Sequence, residues 1–270
     1  MDWNLFNGRV EKLLRLNSSV VAVKMVRKGE APPEGLGDPP QDYTMCQFVT
    51  AARVHGLSLL ATPDNILCGI AQGMLGLDAL PNVAPRFAGA RVANARAYQN
   101  ILRDMPKVKQ GIYGAVAVAP LEAASFDPDL LLFVTDPARI LRLLHGFSYR
   151  RGERVNVRTA AEAGTCGEAM AACLAAGEPA LGFPCYGTRA YGLVGDDQLI
   201  FALPADRAGQ VLDGLEKTHA RISPYPIRQF LNTPPYPRVN FLRKKLTPGE
   251  EEELIQMLRE RGAEPEPEEG

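Results

Sequence analysis

No two cysteines of this chain stand at C-x-x-C spacing, and neither a glycine-rich phosphate loop nor a G-x-S-x-G elbow occurs. The first absence excludes the compact zinc and ferredoxin-type sites, so any metal site has to be assembled from distant segments. The second excludes nucleotide binding through a Rossmann fingerprint or a P-loop. The third removes the nucleophile of the α/β-hydrolases. An excess of charge of one sign is also lacking: the formal net charge is -1, without the basic stripe that DNA or RNA partners require. No window approaches the roughly 18 consecutive apolar residues of a membrane helix. Met1-Asp2-Trp3-Asn4 has neither the basic nor the apolar region of a secretory signal, so a cytoplasmic protein with no membrane or nucleic-acid partner is expected. The cysteines number five, an odd count spread over about half of the 270 residues, which does not suit a secreted disulfide framework. In a reducing compartment each is a small buried residue, a nucleophile or a metal ligand.

What the chain does have is a pair of similar stretches. The first runs from His55-Gly56 through the apolar Leu57–Thr62 to Cys68-Gly69-Ile70-Ala71. The second runs from His145-Gly146 through the alternating Arg154–Thr159 to Cys166-Gly167-Glu168-Ala169. Each follows a helical pattern, at Gln47–Val54 and Ala138–Leu144, and each ends in a cysteine that opens an apolar helix. If the two units pair about a pseudo-twofold axis, Cys68 and Cys166 face one another at helix N-termini, where the macrodipole lowers a thiol pKa.

The rest of the chain alternates helical and extended patterns. An amphipathic helix carries Leu5, Val10, Leu13, Leu14 and Leu16, and Val20–Val26 reads as a mostly buried strand. Arg27–Tyr43 is a Pro- and Gly-rich loop. Further strands are expected at Ile112–Ala119, Leu130–Val134, Pro179–Phe183 and Gln198–Leu203, and helices at Asn94–Met105 and Ala205–Lys217. No interval fits regular βαβ crossovers, so the expected fold is α+β (mixed α/β), with internally duplicated units packed as one compact domain. That domain is placed at residues 1–220. Residues 221–262 form a Pro-rich arm and a C-terminal helix opened by Thr247-Pro248-Gly249-Glu250, an arm that either wraps a second subunit as a homodimer or packs back on its own chain. Residues 263–270 are an acidic tail expected to be disordered.

Four cysteines sit in loop or helix-start contexts: Cys46, Cys68, Cys166 and Cys185. Cys173 lies inside an apolar helix and reads as core. Four converging thiolates suit an iron–sulfur cluster or another thiophilic metal. The string Phe183-Pro184-Cys185-Tyr186-Gly187-Thr188-Arg189-Ala190-Tyr191-Gly192 reads as a loop lining a pocket, with Tyr186, Arg189 and Tyr191 as cofactor-binding candidates. Arg189 offers a fork for a carboxylate or phosphate, or is an ordinary surface arginine. His55 and His145 read as helix-terminal residues followed by a capping glycine.

The order of Val20-Ala22-Val23-Lys24, Met45-Cys46-Gln47, Cys68-Gly69, Val118-Ala119-Pro120-Leu121, Thr165-Cys166 and Pro184-Cys185-Tyr186-Gly187 resembles the domain-of-unknown-function family number one hundred and sixty-nine, found mainly in archaea and in anaerobic or metabolically versatile bacteria. The resemblance covers Asp2 to Lys217. It implies that Cys46, Cys68, Cys166 and Cys185 are the family's recurrent cysteines and that Cys173 is not. Two departures stand out. Gly69-Ile70-Ala71 replaces a Pro-Gly-Gly, and Thr188-Arg189 replaces an Asp-Arg.

The family brings no assigned reaction, so the residues carry the functional expectation. The leading expectation is an iron–sulfur or other metal-centre protein with a redox, sensing or maturation role and a redox partner protein. The alternative is a binding protein for haem or another tetrapyrrole, with the Tyr186–Tyr191 segment against its carboxylate-bearing ring. A scaffold whose cysteines merely fill core is the third.

Overall fold

The computed structural model describes residues 1–221, 225–226 and 245–262. Six strands form one antiparallel sheet: β1 (Val21–Arg27), β2 (Leu59–Ala61), β3 (Tyr113–Pro120), β4 (Leu130–Thr135), β5 (Ala180–Gly182) and β6 (Leu199–Pro204), in the order β2-β3-β1-β4-β6-β5. The inner strands are runs of Val, Ala, Leu and Phe, buried on both sides because helices cover both faces of the sheet. The expected α+β class is the one observed. Every connection that the βαβ rule would make parallel is absent.

One face is covered by α1 (Trp3–Leu14), α6 (Pro137–Ser148) and α9 (Ala208–Arg221). Phe6, Val10, Leu14, Leu143, Phe147 and Leu215 pack there against Ala22, Leu131, Phe133 and Phe201. The other face is covered by α2 (Met45–His55), α3 (Gly69–Met74), α4 (Ala84–Phe87), α5 (Ala95–Asp104), a π-helix (Gly164–Ala171) running into α7 (Ala172–Ala176), and α8 (Tyr186–Gly192). A last helix, α10 (Pro248–Glu260), starts with the Thr247/Glu250 capping box read from the sequence. The Pro-rich arm, apart from 225–226, and the acidic tail lie outside the described residues. Among the described residues no helix is long and apolar enough to cross a membrane.

The strand order reads alike from either edge. Val21 pairs with Pro120 as Leu130 pairs with Pro204, and Leu59 pairs with Val118 as Ala180 pairs with Ala202. After Pro120 and Pro204 the chain makes a single 3₁₀ turn. Its first amide returns to the residue before a central strand: Leu121 N–H to the Val20 carbonyl at 2.8 Å, Ala205 N–H to that of Asp129 at 3.0 Å. In this order β1, β2 and β3 correspond to β4, β5 and β6. The cysteines then correspond differently from the expected Cys68/Cys166 pairing. Cys68 and Cys185 are N-caps of the short helices after β2 and β5. Cys46 and Cys166 lie near the starts of the helical segments before those strands. Those segments end on left-handed glycines, Gly56 and Gly177. From Cys166 to Gly177 is one residue longer than from Cys46 to Gly56, a difference a π-bulge accommodates.

Three local expectations need correction. Arg154–Thr159 forms no strand; it is exposed and irregular and pairs with neither edge of the sheet. His145-Gly146 lies inside α6 rather than at its end. Gly146 is there for close packing, since a Cβ would stand 2.6 Å from the Val211 carbonyl. The Cys185–Tyr191 string is mostly helix, not loop. The capping reading of His55-Gly56 agrees with the structure, where Gly56 caps α2 at φ 69°.

Candidate functional site

The four singled-out cysteines come from four segments that close contacts pull together. α2 starts at a Thr44/Gln47 capping box, which fixes Cys46 in its first turn; such a cap contributes about 1 kcal/mol. The C-terminal end of α8 is clamped onto α2. Thr50 Oγ1 donates to the Gly192 carbonyl at 2.5 Å, and Arg53 donates to the Gly192 and Leu193 carbonyls at 3.0 and 2.5 Å. Gly192 must be small here, because a Cβ would lie 3.0 Å from Cys46 Cβ. At the other end of α8, Gly164 opens the π-helix so close to the chain before Cys185 that a Cβ would fall 2.1 Å from the Phe183 carbonyl oxygen. The loop before α3 is pinned by Gln72, whose Nε2 donates to the carbonyls of Pro63 and Ile66 at 2.8 and 2.7 Å. That pinning sets the position of Cys68.

Cys46, Cys68 and Cys185 are half-buried, and Cys166 is buried. One hydroxyl bridges two of the thiols: Thr188 Oγ1 is 3.4 Å from Cys46 Sγ and 3.3 Å from Cys185 Sγ. Thr165 Oγ1 lies 3.0 Å from the same hydroxyl. Burial pushes the Cys46 thiol up to about 11, with Cys185 and Cys68 adding to the rise and the Thr188 and Thr165 hydrogen bonds opposing it. Cys166 is held well above its ordinary range, first by burial and then by Cys68, Cys46 and Cys185. The four thiols thus form one electrostatic group. The expectation of a lowered pKa at Cys166 is overturned. Cys166 stands in the first turn of the π-helix but is buried, and the loss of water outweighs the dipole. Cys173 stands apart: burial raises it to about 12, and the charges it feels are Asp206 and Glu178, not the other cysteines. It is the core residue expected.

Among the described residues no three His, Cys, Asp or Glu side chains are placed to hold a metal ion. Tetrahedral thiolates on one ion at about 2.3 Å would have to stand about 3.8 Å from one another. Cys46 and Cys185 flank the Thr188 hydroxyl, and Cys68 and Cys166 lie near enough for the four to feel one another's charge.

Beside this group lies a second polar cluster. Tyr98 Oη donates to Glu162 Oε2 at 3.0 Å, and Arg91 donates to both Glu162 oxygens at 3.1 and 2.9 Å. The Arg91 guanidinium stacks between Phe87, 4.5 Å from its ring centre, and Tyr186 at 5.3 Å. Burial, then the carboxylate of Glu162, raises the Tyr98 phenol, and Cys185 adds to the effect. The flanking residues Ala161 and Ala163 both have positive φ, 54° and 48°. Backbone in that region is costly for a residue with a Cβ and gathers at functional sites, as π-helices do. Two residues into the π-helix beyond Cys166, buried Glu168 accepts from Thr159 Oγ1 and the Ala160 amide, tying down the preceding loop.

Of the three cofactor-binding candidates, Tyr186 and Tyr191 are largely exposed. Arg189 donates to Asp196 Oδ1 and to the Gly195 carbonyl, both at 2.9 Å. Only Tyr186 touches the neighbourhood of the cysteines, through Arg91. Sequence reasoning missed Arg91, Tyr98, Glu162, Thr165 and Thr188 as site residues. Thr165 and Thr188 stood inside quoted motifs next to cysteines. Tyr98 and Glu162, far apart in the chain, carried no local signal.

Comparison with known proteins bears on the same region. The family model of DUF169, described as Uncharacterised ArCR, matches residues 9–214, a span that holds all five cysteines. An uncharacterised protein of Methanocaldococcus jannaschii is 27% identical over 225 residues, covering 80% of this chain and 96% of its own. No solved structure matches the chain significantly.

Proposed function

The chain belongs to DUF169, a family whose description assigns no activity, and from the cysteine group we propose that it is an iron–sulfur or related thiophilic metal-centre protein. Cys46, Cys68, Cys166 and Cys185 are its ligands, and its role is redox, sensing or cofactor maturation with a partner protein. The observation that carries this reading is the gathering of four thiols from four separate segments, with Cys173 left out.

Thiols packed this way oppose one another's ionisation. Burial holds the Cys46 and Cys166 thiols protonated, and a cation reverses that balance by taking up the thiolates and releasing protons. In a cluster each thiolate binds a different iron, a mode open to four cysteines drawn from four segments. The donor set is sulfur alone, which suits soft metals. When bound, such a cluster supplies one-electron exchange. The chain's own part is to exclude water at Cys166, to leave the Cys68 and Cys185 side half-open, and to aim hydroxyls at two of the sulfurs. No specific observation favours the tetrapyrrole alternative, because Arg189 is engaged by Asp196 and the two tyrosines face outward.

Anaerobic purification and reconstitution with iron and sulfide test the proposal. Wild-type protein should hold both, and the Cys68→Ser/Cys166→Ser double variant should lose them. Full retention of iron in the double variant overturns the assignment.

A further inference from the structure

Between α3 and α5 the chain passes over the cysteine-bearing face without joining the sheet. This stretch, residues 79–94, carries the short α4. Among the described residues the backbone hydrogen bonds of 81–92 all close within the stretch, as from Arg86 N–H to the Val83 carbonyl at 2.9 Å and from Gly89 N–H to that of Val92 at 2.7 Å. With no ladder or helix bonds to the body, it is held there by side chains alone. Segments of that kind open at low free energy, well before the fold as a whole.

Its attachments fall beside the cysteines. At the start it rests on α3: a Cβ on Gly73 would fall 2.6 Å from Leu80 Cα, and one on Gly69, the residue after Cys68, 2.8 Å from Pro81 Cγ. In the middle Val83 and Ala84 are buried, and the Phe87 ring lies 4.7 Å from that of Tyr98. The far end is fastened by one side chain. Arg91 gives two hydrogen bonds to Glu162, which precedes Cys166 in the chain, and lies over the ring of Tyr186, the residue after Cys185. Glu162 also accepts from Tyr98, so the Arg91 fork meets a carboxylate already held in place. Three of the four cysteine segments are touched by this one stretch, two of them through Arg91.

We propose that residues 79–94 are a strap that gates access to the cysteine group, with Arg91 as its latch. In this structure the strap is closed. When Arg91 leaves Glu162 and Tyr186, the far end lifts while the start stays on α3, and the half-buried Cys185 is the first thiol uncovered. The gate concerns access alone, so it goes beyond the metal-centre reading and acts on any ion or reagent that the thiols take up.

Alkylation of metal-free protein by iodoacetamide, followed cysteine by cysteine in peptide mass spectra, tests the gate. Arg91→Ala should speed the reaction of Cys185 roughly tenfold, the scale of losing a charge-assisted hydrogen-bonded pair, and leave the core residue Cys173 unchanged. A nearby cation favours the reactive thiolate, so loss of its charge alone would slow the reaction; a rise reports access. Unchanged Cys185 reactivity overturns the proposal. An equal rise at Cys173 also overturns it, because the whole fold has then loosened. Arg91→Lys keeps the charge without the fork and should show the same pattern at smaller size; a lysine variant that matches wild type at Cys185 overturns the latch. Hydrogen exchange locates the motion. The amides of Arg86, Gly89 and Arg91 should lose protection in the alanine variant, while Arg189 N–H, bonded to the Cys185 carbonyl at 3.1 Å, keeps it. Loss confined to α8 overturns the strap. Because no metal is present, these failures count against the gate alone, and a wild-type chain that takes up no iron counts against the metal-centre reading alone.

Discussion

The face of the sheet under α1, α6 and α9 and the face under α2, α3, the π-helix and α8 are equally apolar where they meet the strands, yet their helices approach by different means. On the first, α6 and α9 close on two glycines: a Cβ on Gly214 would lie 2.2 Å from the Gly146 carbonyl, and one on Gly146 2.6 Å from that of Val211. The polar groups buried there serve packing. Arg142 donates to the Leu215 carbonyl and to Thr218, and Arg139 to the carbonyls of Leu14 and Arg15. On the second face glycines again allow close approach, at Gly164 and Gly192, but what they bring together is sulfur and hydroxyl. This face also has the π-helix and the left-handed Ala161 and Ala163, whereas the first face has one such residue, Arg15 at the end of α1. Close packing alone builds a core. Close packing around four thiols, with left-handed alanines beside them, is what sets the second face apart.

The comparison is broken most severely by filling one glycine on each face. Gly146→Ala and Gly164→Ala each force backbone apart and should cost about 3 kcal/mol in denaturant unfolding. Only Gly164→Ala should also abolish iron uptake, because it separates the Cys166 helix from the chain before Cys185. Equal loss of iron in both variants would erase the functional difference between the faces.

A smaller effect separates two sulfurs on one continuous helical segment. Cys166→Ala and Cys173→Ala each remove a buried sulfur and should cost about 1 kcal/mol in stability. Iron content should fall in the first and stay unchanged in the second. Loss of iron in Cys173→Ala would mean that the group has been drawn around the wrong cysteines.

The smallest effect is on pH dependence. Metal-free protein keeps the Cys46 proton up to about 11, whereas the unfolded chain releases it near the ordinary thiol value of 9.0. Between these values the folded state binds more protons than the unfolded one, so stability, fully present below 9.0, falls as pH rises toward 11. Cys46→Ala should flatten that decline in unfolding curves taken across this range. An unchanged slope would show that the thiol is not held protonated by burial.

Most elements of this arrangement could be read from the residues. The apolar runs of β1, β3, β4 and β6, the Thr247/Glu250 cap and the helix-start position of Cys68 are written in local pattern. What local pattern misread was equivalence. The matching Cys-Gly-x-Ala segments suggested that Cys68 and Cys166 were partners, but correspondence follows strand order, which depends on pairings such as Leu130 with Pro204 that no local spacing encodes. The alternation at Arg154–Thr159 imitated a strand because period-two patterns also occur in exposed chain that finds no partner. The dipole argument for Cys166 failed because burial, a tertiary property, dominates its pKa. Tyr98 and Glu162 meet only because α5 and the turn before the π-helix fold onto the same face.

The central claim is that Cys46, Cys68, Cys166 and Cys185 hold one polynuclear centre. Iron X-ray absorption on anaerobically reconstituted protein tests it most directly. The account predicts a sulfur shell at about 2.3 Å, like other metal–thiolate bonds, together with an iron–iron scattering shell, both lost in the Cys68→Ser/Cys166→Ser variant. A single-iron spectrum with no metal–metal shell, or the same spectrum in the double variant, would contradict it.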